Sequence, residues 1–203
     1  MRIASTKDDI SSIFTPGMLA CAFAYAALKL AGSVTNGYLY PLVATADGWI
    51  REMSTLVVAA TFLAITIVAY RKPQVVRAPA LVALTCTLTL AAMALVGTGL
   101  GLHNITLLSL GIFCRSISRA LTLCLFALCL VQLESGKQVS FAIALGLFIF
   151  SVLDLFRGFI GTPLNAILLL GATQIVVAAW AAKPASRVLD ITSAGDSVDD
   201  LKL

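Results

Sequence analysis

The chain has 203 residues, of which 60% are hydrophobic and 12% are charged, and its mean hydropathy is +0.99. Because so few charges cannot cover a water-facing surface, this composition excludes water-soluble, disordered and fibrous proteins and leaves the lipid bilayer as the natural solvent. The net charge of +4 is scattered and no basic run exceeds Arg71-Lys72, so nucleic acid is not expected as a partner of this chain.

The N-terminus predicts a cytoplasmic segment over residues 1–14 rather than a cleaved signal peptide. Asp8 and Asp9 interrupt its basic region, and Lys29 stands just before the small residues where cleavage would fall. A membrane domain is predicted to follow over residues 15–183.

Six apolar runs define this membrane domain. In chain order they cover about Ile13–Ala31, Met53–Tyr70, Ala78–Gly97, Ile105–Leu133, Val139–Phe156 and Leu164–Ala182. Each run is predicted to be a helix, because a backbone in hydrocarbon must satisfy its own hydrogen bonds, and none shows the alternation of a barrel strand. All six prolines are predicted to lie at or beyond run ends. The long fourth run is expected to remain one helix that tilts, protrudes or bends.

Basic residues predict the orientation of the six helices. With both termini in the cytoplasm, nine Lys and Arg residues fall in inner segments, and only Arg51 and Arg157 fall in outer ones. The inner residues are Arg2, Lys7, Arg71, Lys72, Arg77, Lys137, Lys183, Arg187 and Lys202. The fold class is therefore an all-α, polytopic integral membrane protein with six transmembrane helices and both termini cytoplasmic.

Residues for catalysis or metal binding are sparse. His103 is the single histidine, and the five cysteines form no CxxC pair, so no metal, cofactor or enzymatic activity is expected. Each cysteine falls within an apolar run and is expected to be a buried free thiol. The glycine-rich stretch from Gly97 to Gly101 is predicted to be an outer turn rather than a phosphate-binding loop.

Arg115 and Arg119 are the most informative residues. Their spacing of four places them on one helix face, and a polar stripe is predicted to continue through Gly111, Ser118 and Thr122. Two arginines near the middle of a span cost about 5–7 kcal/mol together on insertion scales. Such a cost indicates a compensating anion.

Three interpretations of these arginines stay open. The fourth run lines a cavity, in which Arg115 and Arg119 bind an anionic or carbonyl-rich ligand as forked donors. Alternatively, one arginine pairs with Asp154 and backbone carbonyls in a structural network. In the third interpretation, Arg115 reaches the outer interface. Asp154 already has Arg157 three residues away, and Lys29 is a further cation toward the outer end of the first run.

After Pro184 the chain becomes polar, and residues 184–203 predict a flexible, acidic cytoplasmic tail. Asp190, Asp196, Asp199 and Asp200 outnumber the basic residues there.

The chain resembles one six-helix half of a major-facilitator-type membrane domain. The shared features are six spans, cytoplasmic termini, a basic loop between the second and third spans, and a polar fourth span. The fourth span, Leu110-Gly-Ile-Phe-Cys-Arg-Ser-Ile-Ser-Arg-Ala120, is also similar to a half of the facilitator-like sensor domain of membrane-bound LuxR-type regulators. Two departures are plain. The facilitator Gly-x-x-x-Asp-Arg pattern is replaced by Arg71-Lys72-Pro73, and the residues after Pro184 are too few for a helix-turn-helix.

The resemblance implies a module of the bacterial inner membrane that binds a ligand for sensing or transport, and the arginines of the fourth run indicate that this ligand is small and anionic. Arg115, Arg119, Ser118 and Thr122 are the predicted ligand-binding residues, with Asp154 as partner or gate. The lipid bilayer is the expected surrounding, and a homodimer or a missing second six-helix half is the expected partner. The alternative function is a structural or assembly protein of the membrane whose buried arginines only bridge helices.

Overall fold

The structure, a computed structural model, describes residues 14–44, 48–72, 75–133 and 135–194, with the backbone alone for 192–194. Regular structure in these ranges is helical throughout, and six helices are long and apolar enough to cross a membrane. They are α1 (Pro16–Ala44), α2 (Ile50–Arg71), α3 (Ala78–Gly101), α4 (Ile105–Val131), α5 (Gly136–Leu155) and α6 (Pro163–Ala194). The prediction of a polytopic, all-α membrane protein is confirmed, and α4 is a single helix as expected.

Side-chain caps fix where several helices begin. Thr15 Oγ1 accepts a hydrogen bond from the Met18 amide at 3.2 Å, and Asn104 Oδ1 accepts one from the Leu107 amide at 3.2 Å. Ser135 plays the same role at the start of α5. These oxygens satisfy amide groups that have no partner in the first helical turn.

A π-helical turn over Thr35–Leu39 interrupts α1, and the helix then continues from Tyr40 to Ala44. The Tyr40 amide donates to the Thr35 carbonyl, five residues back, and the proline that follows, Pro41, has no amide to donate. Pro41 was predicted to lie beyond the end of the helix. The structure corrects this, since the wider turn carries the helix through it.

Pro184 also lies inside a helix, where the sequence predicted a boundary. α6 runs through it to Ala194, so residues 184–194 of the predicted tail are helical. The side-chain amide of Gln132, just after α4, donates to the Pro184 carbonyl and ties the two helices together there. Residues 195–203, with Asp196, Asp199 and Asp200, lie outside the described ranges.

The stretch from Gly97 to Gly101 is helical rather than a turn, which corrects the prediction. The chain turns at Leu102–His103, where His103 takes a φ of 50° and the Asn104 amide donates to the Gly99 carbonyl at 2.9 Å. A Cβ on Gly99 would lie 2.9 Å from the Leu108 amide nitrogen. The glycine therefore permits the close approach of α3 and α4.

α4 is the central helix of the bundle. It packs against α1, α2, α3 and α6, while α5 packs mainly on α1 and α3 also packs on α6. α2 and α5 are the two least buried helices, and large apolar side chains such as Leu63 and Phe148 cover their outer surfaces. These two helices therefore flank the α1–α4 pair with apolar surfaces that suit lipid or another membrane helix.

Candidate functional site

The candidate site lies where α1 crosses α4. The rings of Tyr25 and Phe126 stack there with centroids 6.0 Å apart, and two turns further along, Gly32 meets the Arg119 guanidinium. A Cβ on Gly32 would lie 3.2 Å from Arg119 Nη2. On each helix the two contacts are seven residues apart, so they lie on one face of α1 and one face of α4. The two helices run antiparallel in a single register.

Arg115 is fully enclosed by protein. Its side chain is 4% exposed, and its Nη2 donates to the Ala31 carbonyl of α1 at 3.3 Å. The Thr35 hydroxyl donates to the same carbonyl at 2.6 Å, directly where the π turn begins. Arg115 Nε is buried without a hydrogen-bond partner. Because Arg115 bonds to α1 inside the bundle, the interpretation in which it reaches the outer interface is wrong.

Arg119 is half-buried, and Lys29, one turn before Gly32 on α1, is exposed. At 1.5 Å per residue, Lys29 lies about 20 Å from the start of α1, and Arg119 lies about 21 Å from the start of α4. Both cations therefore lie near the middle of their helices. Lys29 is central rather than near the outer end of its helix, because α1 continues to Ala44. Lys29 Nζ lies 5.6 Å from the centroid of the Tyr25 ring, in cation–π geometry.

No acidic side chain in the described part of the chain lies at this depth. Glu52 is in the first turn of α2, Asp154 is near the end of α5, and Asp190 is near the end of α6. Over the same ranges, neither Lys29 nor Arg119 forms an ion pair. Arg119 also repels Arg115, one helical turn away. The crossing therefore carries a positive charge that the described residues do not neutralise.

Ser118 faces away from the arginines, toward α3 and α6. Its hydroxyl lies 2.5 Å from Thr89 Oγ1 and 3.1 Å from the Thr85 carbonyl, and it accepts a hydrogen bond from Gln174 Nε2 at 3.2 Å. Thr89 in turn donates to the Thr85 carbonyl at 2.7 Å. These residues form a buried hydrogen-bond chain that joins three helices, and Gln174 Oε1 at its head has no partner.

Thr122 is fully buried, and its hydroxyl donates to the Ser118 carbonyl of its own helix at 2.8 Å. The predicted polar stripe is thus divided between two faces of α4. Arg115 and Arg119 face α1, whereas Ser118 belongs to the chain with α3 and α6. Gly111 instead allows α3 to approach α4, since a Cβ there would lie 2.6 Å from Val96 Cγ2.

Asp154 is not brought to the arginines of α4. Its Oδ1 accepts a hydrogen bond from the Ser33 hydroxyl at 2.6 Å and lies 3.7 Å from Arg157 Nη1, which also donates to Ser33 Oγ at 2.6 Å. The side chains of Arg157 and Asp154 are 40% and 31% exposed. This three-residue cluster joins α1 to the end of α5. The structural network that would pair Asp154 with an arginine of α4 is therefore absent among the described residues.

A cavity of about 450 Å³ lies at the predicted outer end, next to the π turn. Asn36, Tyr40, Arg51 and Glu52 are among its lining residues. The Tyr40 hydroxyl lies 2.5 Å from Ser54 Oγ and thereby ties the end of α1 to α2.

Sequence reasoning identified the arginines but missed Tyr25 and Gly32 as parts of the same crossing. Tyr25, Lys29 and Gly32 are spaced by four and three residues, which places them on one helix face. This spacing is the only feature of the sequence that could have linked them to the site. That face could be recognised only by knowing which helix lies opposite. Comparison of the chain with protein-family models, with curated proteins and with solved structures finds no match.

Proposed function

We propose that this protein is a facilitator-like, multi-pass membrane module that binds a small anionic ligand for sensing or transport. Lys29 and Arg119 contact the ligand at the α1–α4 crossing. Arg115 supports the site from behind, where it donates to the Ala31 carbonyl of α1. The protein is a binding module rather than an enzyme, and Asp154 acts as a structural partner of Arg157.

One observation carries the proposal. Lys29 is exposed and Arg119 is half-buried, both near the middle of their helices, and no acidic group among the described residues lies at their level. A cation in hydrocarbon costs about 2.5–3.5 kcal/mol on insertion scales, and this cost falls when an anion or water occupies the space beside it. Intramembrane charges of this kind typically mark a ligand or ion path.

The packing supports the facilitator-like part of the proposal. A facilitator half consists of two three-helix repeats, in which α1, α2 and α3 correspond to α4, α5 and α6. The α1–α5 pair of helices then corresponds to the α4–α2 pair, and the two helices of each pair pack against each other here. The flanking helices α2 and α5 would then border a face that a second copy, or a second six-helix half, covers. The excess of basic residues at one end supports cytoplasmic termini. The proposed location is the bacterial inner membrane, as the resemblance to facilitator-like regulators implies.

The proposal is tested by anion titration of the protein in phosphatidylcholine nanodiscs. Phosphate, sulfate and 3-phenylpropionate are added at constant ionic strength, and the midpoint of thermal unfolding is measured. At least one of these anions raises the midpoint of the wild type, because it binds only the folded state. The double variant K29Q/R119Q loses the rise, whereas the charge-matched control R51Q/R187Q keeps it.

Two outcomes contradict the proposal: none of the anions raises the wild-type midpoint, or K29Q/R119Q responds as the wild type does. The second candidate function, a structural or assembly protein, is favoured by the bond from Arg115 to the Ala31 carbonyl. It predicts no anion response, together with a loss of folded yield in Arg115→Gln that no added anion relieves.

A further inference from the structure

We propose that Cys21 and Cys129 form a two-coordinate site for a soft, monovalent metal ion, represented by Cu(I), at the predicted cytoplasmic end of the bundle. This site is separate from the anion site of the proposed function, because Cys21 lies eleven residues from Gly32, about 16 Å along α1. The placement of the two thiols in one cavity carries the proposal.

Two contacts fix the register of this end of α1 on α4. The Tyr25 ring stacks on Phe126, and two turns earlier on α1 a Cβ on Gly17 would lie 4.0 Å from Leu133 Cδ2. The contacts are eight residues apart on α1 and seven apart along the α4 chain, so they lie on one face of each segment.

Cys21 and Cys129 occupy the middle of this stretch. Cys21 is four residues from each contact on α1, and Cys129 is three and four residues from the two contacts on the other segment. Because the helices are antiparallel, the two thiols face each other. Both residues are buried, at 2% and 3% exposure, and both line a single cavity of about 490 Å³. They are 108 residues apart in the chain, so only the packing of α1 on α4 brings them together.

The set of donor atoms selects the class of ion. Zinc in structural sites takes four ligands, and within the described ranges no three His, Cys, Asp or Glu side chains are grouped to hold a metal. Thiolates are soft ligands that select Cu(I) over hard cations. Two opposed sulfur atoms are sufficient for an ion that binds two ligands in a line.

The charge balance also suits a monovalent ion. Each thiol loses a proton to water as its sulfur–copper bond forms, and Cys129 gives up the hydrogen bond that its Sγ donates to the Leu125 carbonyl at 3.3 Å. The complex of two thiolates with Cu(I) carries one negative charge. The first turns of α1 and α5 border the same cavity through Gly17 and Gln138, and the amide groups at helix N-termini stabilise negative charge.

Transfer of Cu(I) from the coloured chelator bathocuproine disulfonate tests the proposal. The chain has five cysteines, so the pair variant C86S/C114S/C124S keeps only Cys21 and Cys129. The control variant C21A/C86S/C129A keeps Cys114 and Cys124, which are ten residues apart on α4, about 15 Å, too far to share one ion. Both variants are reduced with dithiothreitol, desalted without air and placed in phosphatidylcholine nanodiscs, and ascorbate keeps the copper as Cu(I).

The pair variant is expected to take one Cu(I) per chain and to hold it at least 100 times more tightly than the control variant. Adding Cys21→Ala or Cys129→Ala to the pair variant removes this gain, and thermal unfolding shows that each variant is folded. K29Q/R119Q keeps the copper affinity of the wild type, because the two sites are independent. X-ray absorption of the wild type carrying one Cu(I) should show two sulfur neighbours, a measurement that needs no substitution.

Equal copper affinity in the pair and control variants would overturn the proposal and leave Cys21 and Cys129 as packing residues. A copper ion with one sulfur neighbour, or with three, would do the same. Neither result bears on the proposed function, since the anion response of Lys29 and Arg119 is measured without metal.

Discussion

Ser118→Ala is expected to destabilise the protein by removing the acceptor of a buried amide. In the wild type, Gln174 Nε2 donates to Ser118 Oγ, while Gln174 Oε1 has no partner. The alanine leaves the whole Gln174 amide unpaired within the bundle, which costs about 1–3 kcal/mol. Thr89 loses little, because its hydroxyl still donates to the Thr85 carbonyl.

Ser118→Ala is expected to lower the free energy of unfolding by less when Gln174 has been replaced by an apolar residue. In Gln174→Met the amide is gone, and the remaining loss is one hydrogen bond between helices, about 0.6 kcal/mol. The double-mutant cycle should therefore give a coupling of about 1 kcal/mol, measured by equilibrium unfolding in mixed detergent and SDS micelles. Equal costs in both backgrounds would show that Ser118 and Gln174 do not act as a pair. Ser118→Ala also leaves anion binding unchanged, because Ser118 faces away from α1.

Gly146→Ala places a Cβ 2.7 Å from the Ala22 carbonyl oxygen and is expected to cost about 1–3 kcal/mol of unfolding free energy by forcing α1 and α5 apart. Gly97→Ala, with nothing within 4 Å, should be neutral or stabilising in the same assay; a similar loss in both variants would refute the close contact. Asp154→Asn weakens a partly exposed cluster with Ser33 and is expected to cost less than about 1 kcal/mol, with the anion response retained. Loss of that response would return Asp154 to the ligand site.

The helices could be predicted from the sequence because bilayer thickness and backbone hydrogen bonding leave few alternatives for long apolar runs. Their ends were harder to predict. Pro184 was taken as a boundary, but its helix continues to Ala194, and the proline packs beside Gln132 from a distant part of the chain. Gly99 was assigned to a turn, although its missing side chain serves the packing of α3 on α4.

The site was predicted in part, for a related reason. A spacing of four correctly places Arg115 and Arg119 on one face of α4, since helix geometry alone decides this. Helix geometry does not decide what lies opposite. Ser118 faces Gln174 rather than the arginines, and Asp154 faces Ser33, because the neighbours of each face depend on the packing of all six helices.

Labelling of an introduced cysteine tests most directly whether water and anions reach the α1–α4 crossing at Lys29 and Arg119. Lys29→Cys is treated with an anionic and a cationic methanethiosulfonate reagent. Each labelling rate is divided by the rate of the same reagent with a small free thiol, and labelling of the native cysteines is measured in the wild type and subtracted. Leu63→Cys, on the outer surface of α2, serves as the lipid-facing control.

The account predicts that Lys29→Cys reacts, that it prefers the anionic reagent, and that Arg119→Gln removes this preference. Reaction as slow as that of Leu63→Cys would contradict the account, and so would a rate that is indifferent to reagent charge.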